Sequence, residues 1–329
     1  MPFTTVNGTK LHYERSGSGE PLLLITGFAI SAAVFEPVLP SYAGRFDVVT
    51  YDNRGSGRSG TPLTPSSMPQ FAGDAVRLLD ALHIDSAHVY GLSMGGMVAQ
   101  EMAIRFPDRV RGLVLGGTSP GGPRAVLPAS KELSALGMAF SGAPRGVQAR
   151  VVAAAVFSEE FRSSHPDEAA RLLRYFGKHR GTAVGANWHW WASVFHDTVA
   201  RLPKIQAPTL VMHGECDGLC PLGNADILVE RIPDAELCVI PGAGHAYLLE
   251  QPAESFRLFA DWVDRRSPIR AGPRLTGVAA RTEPVTRMLG LPVGSFRTGR
   301  SLLARAAGTR RSRTARGARS STLPTGGHT

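Results

Sequence analysis

The sequence predicts an α/β fold, a mostly parallel sheet with helices on both faces. Three observations carry that expectation. Short apolar runs alternate with segments whose apolar residues recur at helical spacing, and that alternation requires right-handed crossovers between parallel strands. The alternation stops for the 85 residues from Ser119 to Pro203 and then resumes. A chain of 329 residues with 43% hydrophobic content also supplies a full-sized core.

The elements follow in order. "FTTVNGTKLHY" alternates around Asn7-Gly8, a pair that accepts positive φ, and so predicts an N-terminal β-hairpin with His12 facing outward. "PLLLIT" and "FDVVTYD" are β-type apolar runs, and between them "AAVFEPVLPSYAG" reads as a short helix interrupted by proline. "MPQFAGDAVRLLDALHI" is amphipathic through Phe71, Val76, Leu79 and Leu82. "AHVYGL" is a strand, "GGMVAQEMAIRF" a helix and "VRGLVLGG" a strand. Residues 119–203 show helical patterns such as "DEAARLLRYFGKH" without strands, and an insertion at the carboxyl ends of strands lies over the ligand side of an α/β sheet. It is expected to be a lid, dividing a core of residues 1–118 and 204–267. "PTLVMHG", "AELCVI" and the helix "ESFRLFADWVDRR" complete that core.

Residues 268–329 carry twelve arginines and a single acid, Glu283, so the formal charge of +9 resides there and the remainder is nearly neutral. That composition predicts a disordered tail, with a short helix allowed near "EPVTRMLGL". A solvated extension is a simpler reading of the tail than contact with nucleic acid or an anionic surface, because aromatic residues are not interleaved with the arginines. No stretch reaches the roughly 18 apolar residues of a membrane span, and residues 1–20 lack the regions of a secretory leader. A soluble, cytoplasmic protein is expected, with Cys216, Cys220 and Cys238 as small buried thiols.

The chemistry centres on "GLSMGGM". With 37 glycines in the chain GxSxG is weak alone, and it occurs twice, at Ser93 and at Ser119. Ser93 lies between a strand and a helix beginning at Met94, where a sharp turn lifts the hydroxyl above the sheet edge and the helix N-terminus aims N–H groups at an oxyanion. Pro120 follows Ser119 and has no N–H to give, so Ser119 is read as a loop residue. A serine needs a base, and the base an orienting acid. His245 in "PGAGHAYLLEQP" and Asp217 in "HGECDGLCP" each follow a strand and complete the order Ser, Asp, His. The second oxyanion donor is assigned to the backbone N–H of Phe28, after Gly27. His213, Cys216 and Cys220 could suggest zinc, but a metal there would compete for the loop of Asp217.

These segments, "LLLITGF", "YDNRGSGRS", "GLSMGGM", "LVMHGECD" and "PGAGHAYLLEQP", resemble the α/β-hydrolase superfamily over residues 1 to about 265. Within it the chain is similar to the branch of 3-oxoadipate enol-lactonases, carboxylesterases and cofactor-free haloperoxidases. The resemblance implies Ser93 as nucleophile, His245 as base, Asp217 as its orienter, and Phe28 and Met94 as oxyanion donors, with Asp52 and Arg54 in a supporting turn. It implies no metal or organic cofactor. Thr26 stands where the family commonly has His before the glycine. The expected activity is hydrolysis of a small-molecule carboxylic ester or lactone through an acyl-enzyme. C–C bond hydrolysis and perhydrolase or haloperoxidase chemistry use the same triad and remain alternatives; a non-catalytic binding module is a further one. Trp188, Trp190 and Trp191 in "NWHWWASVF" are expected to line an apolar substrate pocket. Oligomeric state has no signature in the chain.

Overall fold

A computed structural model describes residues 2–129, 145–179 and 181–266. The basic segment 268–329 and the helix expected near "EPVTRMLGL" lie outside the described residues, as does part of the expected lid.

The hairpin pairs β1 (Phe3–Val6) with β2 (Thr9–Ser16) antiparallel, and Asn7 and Gly8 take φ of 46° and 73° at its turn. β3 (Glu20–Ile25), β4 (Phe46–Tyr51), β5 (Ala87–Leu92), β6 (Val110–Gly116), β7 (Thr209–Gly214) and β8 (Ala235–Ile240) are mutually parallel, while β2 joins β4 antiparallel. The order is β1-β2-β4-β3-β5-β6-β7-β8. The chain leaves β3 to one side for β4 and returns on its other side as β5. That reversal opens a crevice at the carboxyl ends of β3 and β5, the place where open α/β sheets hold ligands.

β5 and β7 are buried along their whole length, the pattern of strands covered on both faces. One face, with Leu23, Val49, Val89 and Val211, packs under α2 (Met68–Ala81), α3 (Met94–Arg105) and α8 (Gly223–Arg231). The other, with Leu22, Val48, Tyr90 and Val114, packs under α1 (Leu39–Ala43), α9 (Tyr247–Glu250) and α10 (Pro252–Arg266). Each fully buried Leu or Val stabilises this sandwich by about 2 kcal/mol. α2 buries Phe71, Val76 and Leu79 as its spacing predicts, and Leu82 falls just beyond its end.

Between β6 and β7 the described residues form α4 (Arg145–Val156), α5 (Glu159–Ser164), α6 (Pro166–Phe176) and α7 (Ala183–Val194). The loop leaving β4 also folds back on the hairpin: Gly60 N donates to Lys10 O, and His12 N to Ser59 Oγ. His12 is therefore fully buried, edge-on to Phe3, rather than facing outward, because strand alternation cannot anticipate a loop that covers the second face. Of the three thiols, Cys238 is buried, Cys220 partly so and Cys216 exposed, which corrects the expectation that all three are buried. No described helix is long and apolar enough to cross a membrane.

Candidate active site

Ser93 joins β5 to α3 with φ 58° and ψ −122°, a conformation that costs an L-residue about 1–3 kcal/mol. Its neighbours hold it there. Ser93 N donates to Gly116 O at 2.8 Å, and Thr118 Oγ1 donates to Ser93 O at 2.7 Å. The turn is so tight that a Cβ on Gly91 would strike the Gly95 carbonyl, and one on Gly95 would strike the Ile25 carbonyl at the end of β3. A Cβ on Gly27 would lie 3.2 Å from Ser93 Cβ, so the loop after β3 runs directly beside the serine.

Asp217 lies on the loop after β7 and His245 on the loop after β8, both buried. Asp217 Oδ1 accepts from the amides of Leu219 and Cys220 at 2.9 and 2.8 Å, which turns Oδ2 toward the imidazole. His245 Nδ1 donates to that oxygen at 2.8 Å, leaving Nε2 as the acceptor of the neutral ring. Ser93 and His245 line the same cavity. His213, on β7, is held below its ordinary pKa mainly by burial and donates its Nε2 hydrogen to Cys220 O. Among the described residues no group of three His, Cys, Asp or Glu side chains could hold a metal ion.

Two supports had no signature in the sequence. Glu250 accepts from Gly244 N, Ser158 N and Ser158 Oγ at 2.7–3.0 Å, clamping the His245 loop to the junction of α4 and α5. Burial is the main cause of its raised pKa. His189 of α7 reaches across to the loop after β3, where it accepts from Ala29 N at 3.1 Å. In the turn after β4, Asp52 accepts from Ala32 N at 2.7 Å and Arg58 N at 2.8 Å, while Arg54 makes a buried two-pronged pair with Asp74.

The cavity holds about 360 Å³ and is lined on one side by Val152 and Val156 of α4, Leu173 and Phe176 of α6 and Ala186 of α7. Its only polar side chains among the described residues are Ser93, Gln148, Thr182 and His245, with no Asp, Glu, Lys or Arg among them. Phe28 lines it, whereas the Met94 side chain is buried in the core beneath α3. Ser119 lies outside it, buried, with its hydroxyl 3.1 Å from Asn224 Oδ1.

The three tryptophans correct the sequence reading, since none lines this cavity. α7 turns Gly185, His189 and Ala192 inward and shows only Ala183 and Ala186 to the cavity, so positions 188, 190 and 191 fall on other faces. Trp188 donates to Pro62 O at 3.2 Å and shares a second cavity with Trp191, Phe195 and His196. Trp190, 39% exposed, does not line the first cavity, and its ring lies edge-on to Phe28 at 6.4 Å.

Comparison with known proteins agrees with this architecture. A family model described as the alpha/beta hydrolase fold matches residues 20–252. The chain is 30% identical over 259 residues to the putative carbamate hydrolase RutD of Azorhizobium caulinodans, covering 77% of this chain and 94% of that one. It is 34% identical over 232 residues to the poly(3-hydroxyalkanoate) depolymerase of Ectopseudomonas oleovorans, covering 70% and 79%. The crystal structure of the enol-lactonase from Burkholderia xenovorans LB400 superposes with a TM-score of 0.70 at 25% identity, covering 80% of this chain and all of that one.

Proposed function

The chain belongs to the alpha/beta hydrolase fold family, and from that premise we propose that it cleaves an uncharged, largely apolar carboxylic ester or lactone through an acyl-enzyme on Ser93. The observation that carries the reading is the buried Asp217–His245 pair opening, with the strained Ser93, on one apolar cavity.

In the reaction Ser93 Oγ attacks the carbonyl carbon while His245 Nε2 takes the hydroxyl proton. Asp217 stabilises the imidazolium through Nδ1–H. The backbone N–H groups of Phe28 and Met94 receive the developing oxyanion. Collapse expels the alcohol, which takes the proton from Nε2. Water then gives a proton to His245, attacks the acyl carbon and releases the acid, and the proton returns to Ser93.

The lining supports the substrate class. Burying a substrate carboxylate costs several kcal/mol without a partner, and the described lining offers no cation. Poly(3-hydroxyalkanoate), named for one relative, joins uncharged ester links to apolar side chains, and esters of that kind suit this cavity better than an anionic lactone.

The test is a fluorophosphonate probe followed by peptide mapping, together with a panel of p-nitrophenyl esters from acetate to dodecanoate and the anionic hemisuccinate. We expect the adduct on Ser93, none on Ser119, loss of labelling in His245→Ala, and a preference for medium apolar chains over hemisuccinate. An adduct on Ser119, or labelling of His245→Ala at the wild-type rate, would falsify the triad. A preference for hemisuccinate would overturn the substrate class alone.

A further inference from the structure

The peptide between Gly27 and Phe28 carries the N–H assigned to the oxyanion, and the peptides on either side of it are both tied down. On one side Asn53 Nδ2 donates to Thr26 O at 3.2 Å. On the other, Ala29 N donates to His189 Nδ1 at 3.1 Å, with Ala29 held at φ 53°. The Thr26 hydroxyl adds only long contacts, accepting from Asn53 Nδ2 at 3.3 Å and donating to Ile30 O at 3.4 Å. Further along, Ser31 Oγ donates to Lys178 O at 2.8 Å and Ala32 N to Asp52 Oδ1 at 2.7 Å, but it is His189, from the segment between β6 and β7, that accepts the N–H of Ala29, the residue next to Phe28.

Its own position is heavily determined. Nε2–H donates to Arg54 O at 2.7 Å, which leaves Nδ1 as the acceptor for Ala29. The ring lies edge-on between Phe28 and Phe71, at centroid distances of 6.2 and 5.0 Å. α7, which carries it, is seated on the loop after β4: Gly185 lies so close to Gly55 that a Cβ would strike the Gly55 carbonyl, Thr182 Oγ1 is 2.9 Å from Thr61 Oγ1, and Trp188 donates to Pro62 O. Burial keeps the imidazole neutral, with its pKa down to about 4. A protonated ring would point N–H at N–H.

We infer that His189 is a positioning residue, through which the seating of lid helix α7 sets the orientation of the oxyanion loop at Phe28. The inference rests on the proposed role of the Phe28 N–H. It follows that displacing α7 lowers the rate of the chemical step and not merely access to the cavity.

Two amides separate the contacts. In His189→Asn, Oδ1 falls near the place of Nδ1 and still accepts from Ala29 N, while the bond to Arg54 O is lost. In His189→Gln, the amide falls near Nε2 and serves Arg54 O, while Ala29 N loses its acceptor. Each variant gives up one buried hydrogen bond, so thermal melting should fall by similar amounts in the two. On p-nitrophenyl butanoate, kcat of the Gln variant should drop about tenfold to a hundredfold with KM within about threefold, and fluorophosphonate should label its Ser93 more slowly in proportion. The Asn variant should stay near wild type in both. Equal kcat in the two variants overturns the inference, and so does a large loss in the Asn variant alone, which suffices if the Gln variant does not fold. If wild-type Ser93 takes no label, the active-site reading itself falls, a result distinct from either.

Discussion

At the scale of single residues, the site depends on backbone approaches that only glycine permits. A Cβ at Gly95 would meet the Ile25 and Thr26 carbonyls, which are main chain and cannot swing aside. Gly95→Ala should therefore cost about 3 kcal/mol or more in urea denaturation, or prevent soluble expression. Asp217→Asn is a milder change in packing and a harsher one in chemistry. The amide can still accept from Leu219 and Cys220, but the His245 ring loses the carboxylate that fixes its tautomer. We expect kcat on a short ester to fall roughly ten-thousandfold with melting nearly unchanged. A loss in proportion to melting would make Asp217 a structural residue only. The placement of Ser93, Asp217 and His245 just beyond strand ends was legible because it is a feature local in sequence. His189 was not, because its partners Ala29 and Arg54 are 160 and 135 residues away.

At the scale of elements, α7 and the turn after it carry two buried histidines. Burial pushes His189 and His196 down to about 4 each, in His196 with a smaller opposing pull from Glu101. In the unfolded chain both return to about 6.5, so between those values the unfolded state binds more protons. The stability they contribute is present above about pH 6.5 and lost as pH falls toward 4, on the order of 3 kcal/mol for each full shift. Denaturation midpoints measured between pH 7 and pH 4.5 should fall accordingly, and His189→Gln should show a shallower fall. A pH-independent midpoint would mean these rings are not kept neutral. The same helix also decides the tryptophans. Trp191 stacks on Phe195 at 5.6 Å and faces the second cavity, so Trp191→Ala should leave the ester chain-length profile unchanged. A shifted profile would place it at the substrate. Composition marked α7 as aromatic, but its rotation about its own axis was set by the Gly55–Gly185 contact and the His189 bonds, neither of which periodicity reveals.

At the scale of the whole molecule, every residue assigned to the chemistry lies between Thr26 and Glu250, within the family match. A chain ending at Arg266 should therefore keep its turnover on p-nitrophenyl butanoate, and loss of folding or of most activity would show that the basic segment serves the hydrolase. The sequence by itself determined the class of fold and the placement of Ser93, Asp217 and His245 at strand ends. Apolar runs, helical spacing and glycine turns act over a few residues, and the Ser, Asp, His order needs only strand ends to be recognised. The tertiary structure alone decided the strand order with β3 between β4 and β5, the burial of His12, the apolar lining of the cavity and the reach of His189 to the loop after β3. Those features come from contacts between segments far apart in the chain, whose geometry is settled when the sheet, its covering helices and the helices between β6 and β7 pack together.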